Sequence, residues 1–255
     1  DWSSDVCSSD LFAITLLAVA ASAIHTETEY MSHLAVHGRQ MGTVAEYNYR
    51  KGIFDLKEAS IKEHNSVKRN YTLGHNKFSD WSEAEMKRLL GYRAPTVPQP
   101  KREIKNFTYP ASVNWITEGC VNAVKDQGQC GSCWAFSSAC AMEGAHCIAS
   151  PTKELLSFSE QQYTDCVKLS FGCNGGNQST AFNFSETNNS VLEANWPYTS
   201  GTTGKNVACV ENQYPATNVH SIKPSGGWMV SPSENVAAMK TAAAQQVLSV
   251  SIEAD

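Results

Sequence analysis

Gln127-Gly-Gln-Cys-Gly-Ser-Cys-Trp-Ala-Phe-Ser137 is the stretch of this 255-residue chain from which its fold can be read. Cys133 stands where a helix begins. The residues after it, to about Ile148, are small or apolar on nearly all faces, so the helix is expected to be buried rather than a surface amphipath. A thiol attacks a carbonyl only as thiolate, and an ordinary cysteine is mostly protonated at neutral pH. A helix N-terminus favours the anion through its unpaired N–H groups and partial positive charge. Attack creates an oxyanion that needs fixed donors. The Gln127 amide, six residues upstream, and the Cys133 backbone N–H are candidates. Cys130-Gly-Ser-Cys133 is also a C-x-x-C, the spacing of a redox dithiol or half a zinc site, but Gln-Gly-Gln before it and Trp-Ala-Phe after it argue against both.

The Cys-Gly-Ser-Cys-Trp run resembles the nucleophile segment of papain-like cysteine proteases. The resemblance implies an α+β, papain-like two-domain fold behind a helical propeptide. It makes Cys133 the nucleophile and Gln127 the oxyanion donor, with no metal or cofactor. Gly172-Cys-Asn-Gly-Gly176 resembles the family's substrate ledge, where glycines let the backbone pair with a peptide as an added strand. By itself, Asn-Gly-Gly would be a plain turn. The resemblance places Gly175, Gly176, Gln178, Ser251 and Trp134 at the substrate. Gln178 and Ser251 fall on the wall of the pocket for the side chain two before the scissile bond, and both are more polar than is common there. It also implies disulfides Cys130–Cys173 and Cys166–Cys209, pairings that spacing alone does not decide. Cys120, Cys140 and Cys147 are left open.

Upstream, Glu46, Arg50, Ile53, Phe54, Lys57, Ile61 and Asn65 fall near one side of a long helix. They resemble the spaced motif of cathepsin L-type propeptides, with Lys57 where asparagine is usual. Gly74, Asn76, Phe78 and Asp80 resemble that propeptide's second motif. Alone, a helix with a Glu-Arg pair at i,i+4 would be an ordinary surface helix. Such a propeptide lies in the cleft in the reverse direction, here within Arg88 to Pro100, where three prolines keep the chain extended. Protonation of carboxylates such as Asp80 in acid is expected to loosen it.

The organisation expected is therefore a non-native scar over 1–10, a signal peptide over 11–23, an inhibitory propeptide over 24–108 with a helical core at 30–85, and a peptidase domain over 109–255. Residues 1–10 lack an initiator Met and a basic leader and back-translate to a sequencing adapter, so Cys7 is set aside. Leu11 to Ala23 is a short apolar run ending small-x-small, a secretory leader too short to span a bilayer. Secretion permits disulfides and points to a lysosomal or extracellular destination. Five N-x-Ser/Thr sequons, at Asn70, Asn106, Asn177, Asn183 and Asn188, are glycan acceptors by pattern, although a glycan on Asn177 would crowd the cleft.

Hydrophobic residues make up 42% and charged residues 18%, with net charge −5, the profile of a globular chain without a nucleic-acid-binding basic face. The mature form is expected to act off the membrane, as a monomer, on peptide or protein substrates, with its own propeptide as a partner in cis. Tyr109 to Trp115 resembles the first mature strand. Val247 to Ile252, alternating apolar and polar, resembles the first long strand of the right-hand half-domain, so the helical left domain is largely present and the right β-barrel mostly missing. None of the seven histidines follows that strand. The resemblance places the family's histidine and asparagine beyond Asp255, and the chain as given is expected to be inactive. His146 stands about four helical turns from Cys133, roughly 20 Å along a helix. The rival expectation is a non-catalytic pseudoprotease or a propeptide-like inhibitor.

Overall fold

The computed structural model describes residues 26–96, 98–210, 219–220, 229–231 and 233–252. The expected scar and signal peptide lie outside the described residues. The chain divides into two compact units, 1–86 and 87–255.

The first unit is helical. Helix α1 covers 26–36 and α2 covers Val44–Ser66. Thr43 caps α2 by accepting the Glu46 N–H at 3.1 Å, which satisfies a first-turn donor, and Glu46 reaches back to the Gly42 N–H, one residue before the cap, at 3.2 Å. Phe54, Glu58 and Ile61 are the buried residues of α2, spaced to share one face. Arg50 bridges Glu46 at 3.0 Å and Glu85 at 2.8 Å. Asn65 pairs with the backbone of Leu73 in both directions, at 2.8 and 2.9 Å. Asn76 accepts the Phe78 N–H at 2.9 Å, and the Phe78 ring meets Trp81 edge-on. Ile53 is half-buried. Nothing in the structure explains glycine at 74, where a Cβ would meet no atom within 4 Å.

Asp80 is fully buried. It accepts from Tyr30 at 3.3 Å and faces Arg39 at 3.0 Å and His33 at 3.7 Å. His33 also packs against Phe54, His37 and His75. Burial pushes the His33 imidazole below the ordinary histidine range; His37 and His75 push the same way and Asp80 opposes them. Since the folded value lies below the unfolded one, this stability is complete above about pH 6.5 and is lost as pH falls below it. Glu85 is held at about 2, chiefly by Arg50, so its contribution fades only below about pH 4.5. The lowered His33 value therefore places a loss of stability in this unit as the pH falls from 7 to 5. Amide exchange around Phe54, corrected for intrinsic rate, is expected to accelerate from pH 7 to 5. His33→Gln should flatten that slope; an unchanged slope would refute the assignment.

Helix α3 (Glu83–Lys87) ends the first unit, with only Lys87 past its border, and the second unit contains α4 (Cys133–Ala149), α5 (Glu160–Cys166), α6 (Gln178–Thr187), α7 (Ser200–Thr203) and α8 (Val236–Ala243). Helix α4 packs against α5 and α6 around a core of Trp134, Ala139, Met142, Phe158, Tyr163 and Ala181. Glu143, the one charge on α4, is buried with Glu160 against Lys125, which lies 3.1 Å from Glu143. Burial raises Glu160 to about 7, while the two carboxylates outweigh burial at Lys125 and raise it. Strands are few among the described residues. β1 (Lys101–Glu103) pairs in parallel with β4 (Met229–Ser231), and β2 (Ser190–Val191) pairs antiparallel with β3 (Val219–His220).

Two expected strands do not form. Tyr109–Trp115 is irregular, with Trp115 donating its indole N–H to Ala243 at 2.8 Å. Val247–Ile252 has no ladder partner among the described residues. Alternation sets which side chains face in, but a strand also needs a neighbouring backbone. That segment is tied to α4 by Ser249 and Ser137, 2.6 Å apart.

Candidate active site

Cys133 is the first residue of α4 and is half-buried with a free thiol. The preceding Ser132 does not cap the helix; its hydroxyl pairs with the Tyr198 hydroxyl at 2.6 Å. No acidic residue stands in the first turn, so the positive end of the helix is not neutralised there by its own side chains. Among the described residues Cys140 is also a free thiol; burial raises it above the usual range, with Glu143 adding to the effect.

The loop before Cys133 is held from two sides. Disulfide Cys130–Cys173 and the Gly131 N–H to Cys173 carbonyl bond of 2.9 Å join it to the ledge. The Gln129 N–H donates to Gly201 at 2.7 Å and the Tyr198 hydroxyl to the Gln127 carbonyl at 3.0 Å. Gln127 is thereby fixed. Its Nε2 donates to the Cys130 carbonyl at 2.8 Å and to the Leu89 carbonyl at 3.1 Å.

After the turn at Arg88 and Leu89, the chain runs past Cys133 to the glycines. The Gly176 N–H donates to Gly91 and the Arg93 N–H to Gly176, both at 2.8 Å, a parallel bridge centred on Tyr92. Gly91 passes so close that a Cβ there would lie 2.0 Å from the Gly131 carbonyl oxygen and 3.2 Å from the Cys133 sulfur. This stretch was expected within Arg88 to Pro100, but its individual contacts were not.

Trp134 requires a correction. It is fully buried and donates its indole N–H to the Gly172 carbonyl at 3.2 Å. A Cβ on Gly176 would come within 2.6 Å of its ring. It supports the ledge from beneath and is not available to a peptide. Gln178 and Ser251 lie together, with Gln178 Nε2 donating to Ser251 at 2.9 Å. Asn177, seen in the sequence only as a sequon, is buried with its amide engaged. The remaining disulfides are Cys166–Cys209 and Cys120–Cys147. His146, in the last turn of α4, faces Glu154 at 3.5 Å, at the opposite end of the helix from Cys133. Among the described residues, no group of histidine, cysteine and acidic side chains is placed to hold a metal, and no helix is long and apolar enough to cross a membrane.

A thiol at the start of a buried helix, a fixed amide and a glycine ledge define a site for acyl chemistry on an extended peptide. The family profile for papain family cysteine protease matches residues 109–255, and that for the cathepsin propeptide inhibitor domain matches 29–86. The chain belongs to the papain family of cysteine proteases and carries its propeptide domain. It is 32% identical to the senescence-specific cysteine protease SAG12 of Arabidopsis thaliana, over 97% of this chain and 73% of that protein. Its fold is similar to that of a recombinant stem bromelain precursor, with a TM-score of 0.75 and 28% identity over 87% of this chain and 70% of that one. It is also similar to digestive procathepsin L2 proteinase from Tenebrio molitor larval midgut, with a TM-score of 0.68 and 32% identity over 79% of this chain and 66% of that one.

Proposed function

We propose that this chain is the zymogen form of a cysteine endopeptidase in which Cys133 is the nucleophile and Gln127 the oxyanion donor. Its thiolate attacks the peptide carbonyl carbon, and the oxygen takes the negative charge beside the Gln127 amide and the Cys133 N–H. The C–N bond then breaks, the amine leaves with the proton that the Cys133 thiol gave up on forming the thiolate, and water hydrolyses the thioacyl-enzyme to a carboxylic acid, returning a proton to the sulfur. The observation that carries this reading is the Gln127 amide. Its anchor on Cys130 aims it into the cleft, where a backbone carbonyl, that of Leu89, already occupies it. Leu89 stands in for the oxygen of a substrate.

The residues around Leu89 to Arg93 act as the inhibitory segment. Gly176 offers a substrate backbone the N–H and carbonyl that it offers this segment, Gly175 keeps the approach beside it open, and Gln178 and Ser251 give the adjoining pocket a polar wall. On this reading residues 11–23 are a signal peptide, 24–108 the propeptide and 109–255 the peptidase domain. The enzyme is a monomer of the secretory route, lysosomal or extracellular, and glycosylated at exposed sequons.

The test is to quench full-length protein during turnover of an activated peptide ester and map the acyl group by mass spectrometry. Acyl on Cys133 and none on Cys140 is expected. An unmodified Cys133 during turnover refutes the assignment.

A further inference from the structure

One residue of the bound segment is held on every side. The Arg93 N–H donates to the Gly176 carbonyl at 2.8 Å. Its carbonyl accepts from Asn177 Nδ2 at 2.9 Å. Its Nε donates to the Asn174 carbonyl at 2.7 Å, and its guanidinium carbon lies 5.1 Å from the centre of the Phe171 ring. The aliphatic stem crosses Gly175, where a Cβ would stand 2.8 Å from Nε and 3.2 Å from Cγ. Arg93 therefore stands in for an arginine of a bound peptide.

The residues beneath it are built for that load. Asn177 is only 6% exposed. Its Oδ1 caps α6 by accepting the Ser179 N–H at 2.8 Å and also accepts from the Ser179 hydroxyl. The amide nitrogen is thus left pointing at the peptide. Phe171 keeps 61% of its surface exposed, and its N–H donates to the Gly175 carbonyl at 2.8 Å. It offers a ring face beside an outward carbonyl. A planar guanidinium satisfies both at once, stacking on the ring while Nε–H donates in plane; an ammonium has no Nε in that place, and a carboxylate meets only acceptors.

We propose that Phe171, Asn174 and Gly175 form a subsite for an arginine side chain of an extended peptide, with Asn177 beside it holding a main-chain carbonyl, one residue outward from the residue opposite Gly176. For substrates this position is the third before the scissile bond, a step that rests on the reading of Cys133 as nucleophile.

Two measurements test it. In the full chain, Arg93→Ala and Phe171→Ala are each expected to raise the alkylation rate of Cys133, resolved by mass spectrometry, about threefold to tenfold. The double variant should go no further than either single one. Independent, multiplying effects would overturn the subsite. In the activated full-length enzyme, a peptide with arginine at the third position before the scissile bond should exceed its alanine twin in kcat/KM by about the same threefold to tenfold factor. Phe171→Ala should bring that ratio to about one. A ratio near one in the unaltered enzyme would overturn the substrate assignment. Hydrolysis of neither peptide would instead contradict the protease reading, with the subsite then decided by the alkylation cycle.

Discussion

Cys133→Ala is expected to lower kcat/KM of the full-length enzyme by about 10⁴-fold or more, the scale on which loss of a catalytic nucleophile is felt. Gln127→Ala should cost about 10² to 10³, the range for one oxyanion donor. The difference has a physical basis. Without sulfur there is no covalent path, and what remains is binding and the other donors. Without the amide, attack still proceeds, but the oxyanion keeps only the Cys133 N–H. Gln127 Nε2 is already anchored by Cys130 at 2.8 Å, so its removal takes away a donor that needs no reorganisation. It should therefore lower kcat and leave KM nearly unchanged, because the bond strengthens only as charge develops. Steady-state kinetics of the two variants separate these roles. A Gln127→Ala enzyme within about twofold of the parent would remove Gln127 from the oxyanion site.

Gly91→Val is expected to expel the inhibitory stretch from the cleft. A side chain there meets the Gly131 carbonyl, whose position is set by the Cys130–Cys173 disulfide and the Gly131 to Cys173 hydrogen bond. Rigid backbone gives way poorly, and overpacking of this kind costs about 2–3 kcal/mol. That is roughly a hundredfold in the population of open cleft. Alkylation of Cys133 in the full chain should accelerate by that factor, and Gly91→Ala should already show most of the effect, since the clash begins at Cβ. An unchanged rate would mean that Leu89 to Arg93 does not cover the thiol in solution.

The local elements were largely legible in the sequence. Helix α4 begins at Cys133, and α2 carries Phe54 and Ile61 on its buried side, because apolar spacing and capping residues act within a few turns. Tyr109–Trp115 was read as a strand from resemblance and Val247–Ile252 from alternation, and neither identifies the pairing partner that a ladder needs; among the described residues neither segment has one. Trp134 was grouped with substrate contacts by the resemblance, but one step along a helix from Cys133 turns a side chain by about 100°, here into the core beneath Gly176. Lys125, Glu143 and Glu160 carried no shared signal, being separated in sequence and joined only by burial.

By itself the sequence determined the chemistry on offer: a thiol at a helix start, an amide six residues before it, a glycine pair and a propeptide ahead of them. These are short-range facts, set by residue type and spacing. Only the tertiary structure decided which groups meet. It put the Leu89 carbonyl on Gln127, Gly91 over the Cys133 sulfur and Arg93 among Phe171, Asn174 and Asn177. Contacts across 38 to 84 positions of chain depend on how the backbone is brought back on itself, and residue spacing carries no record of that path.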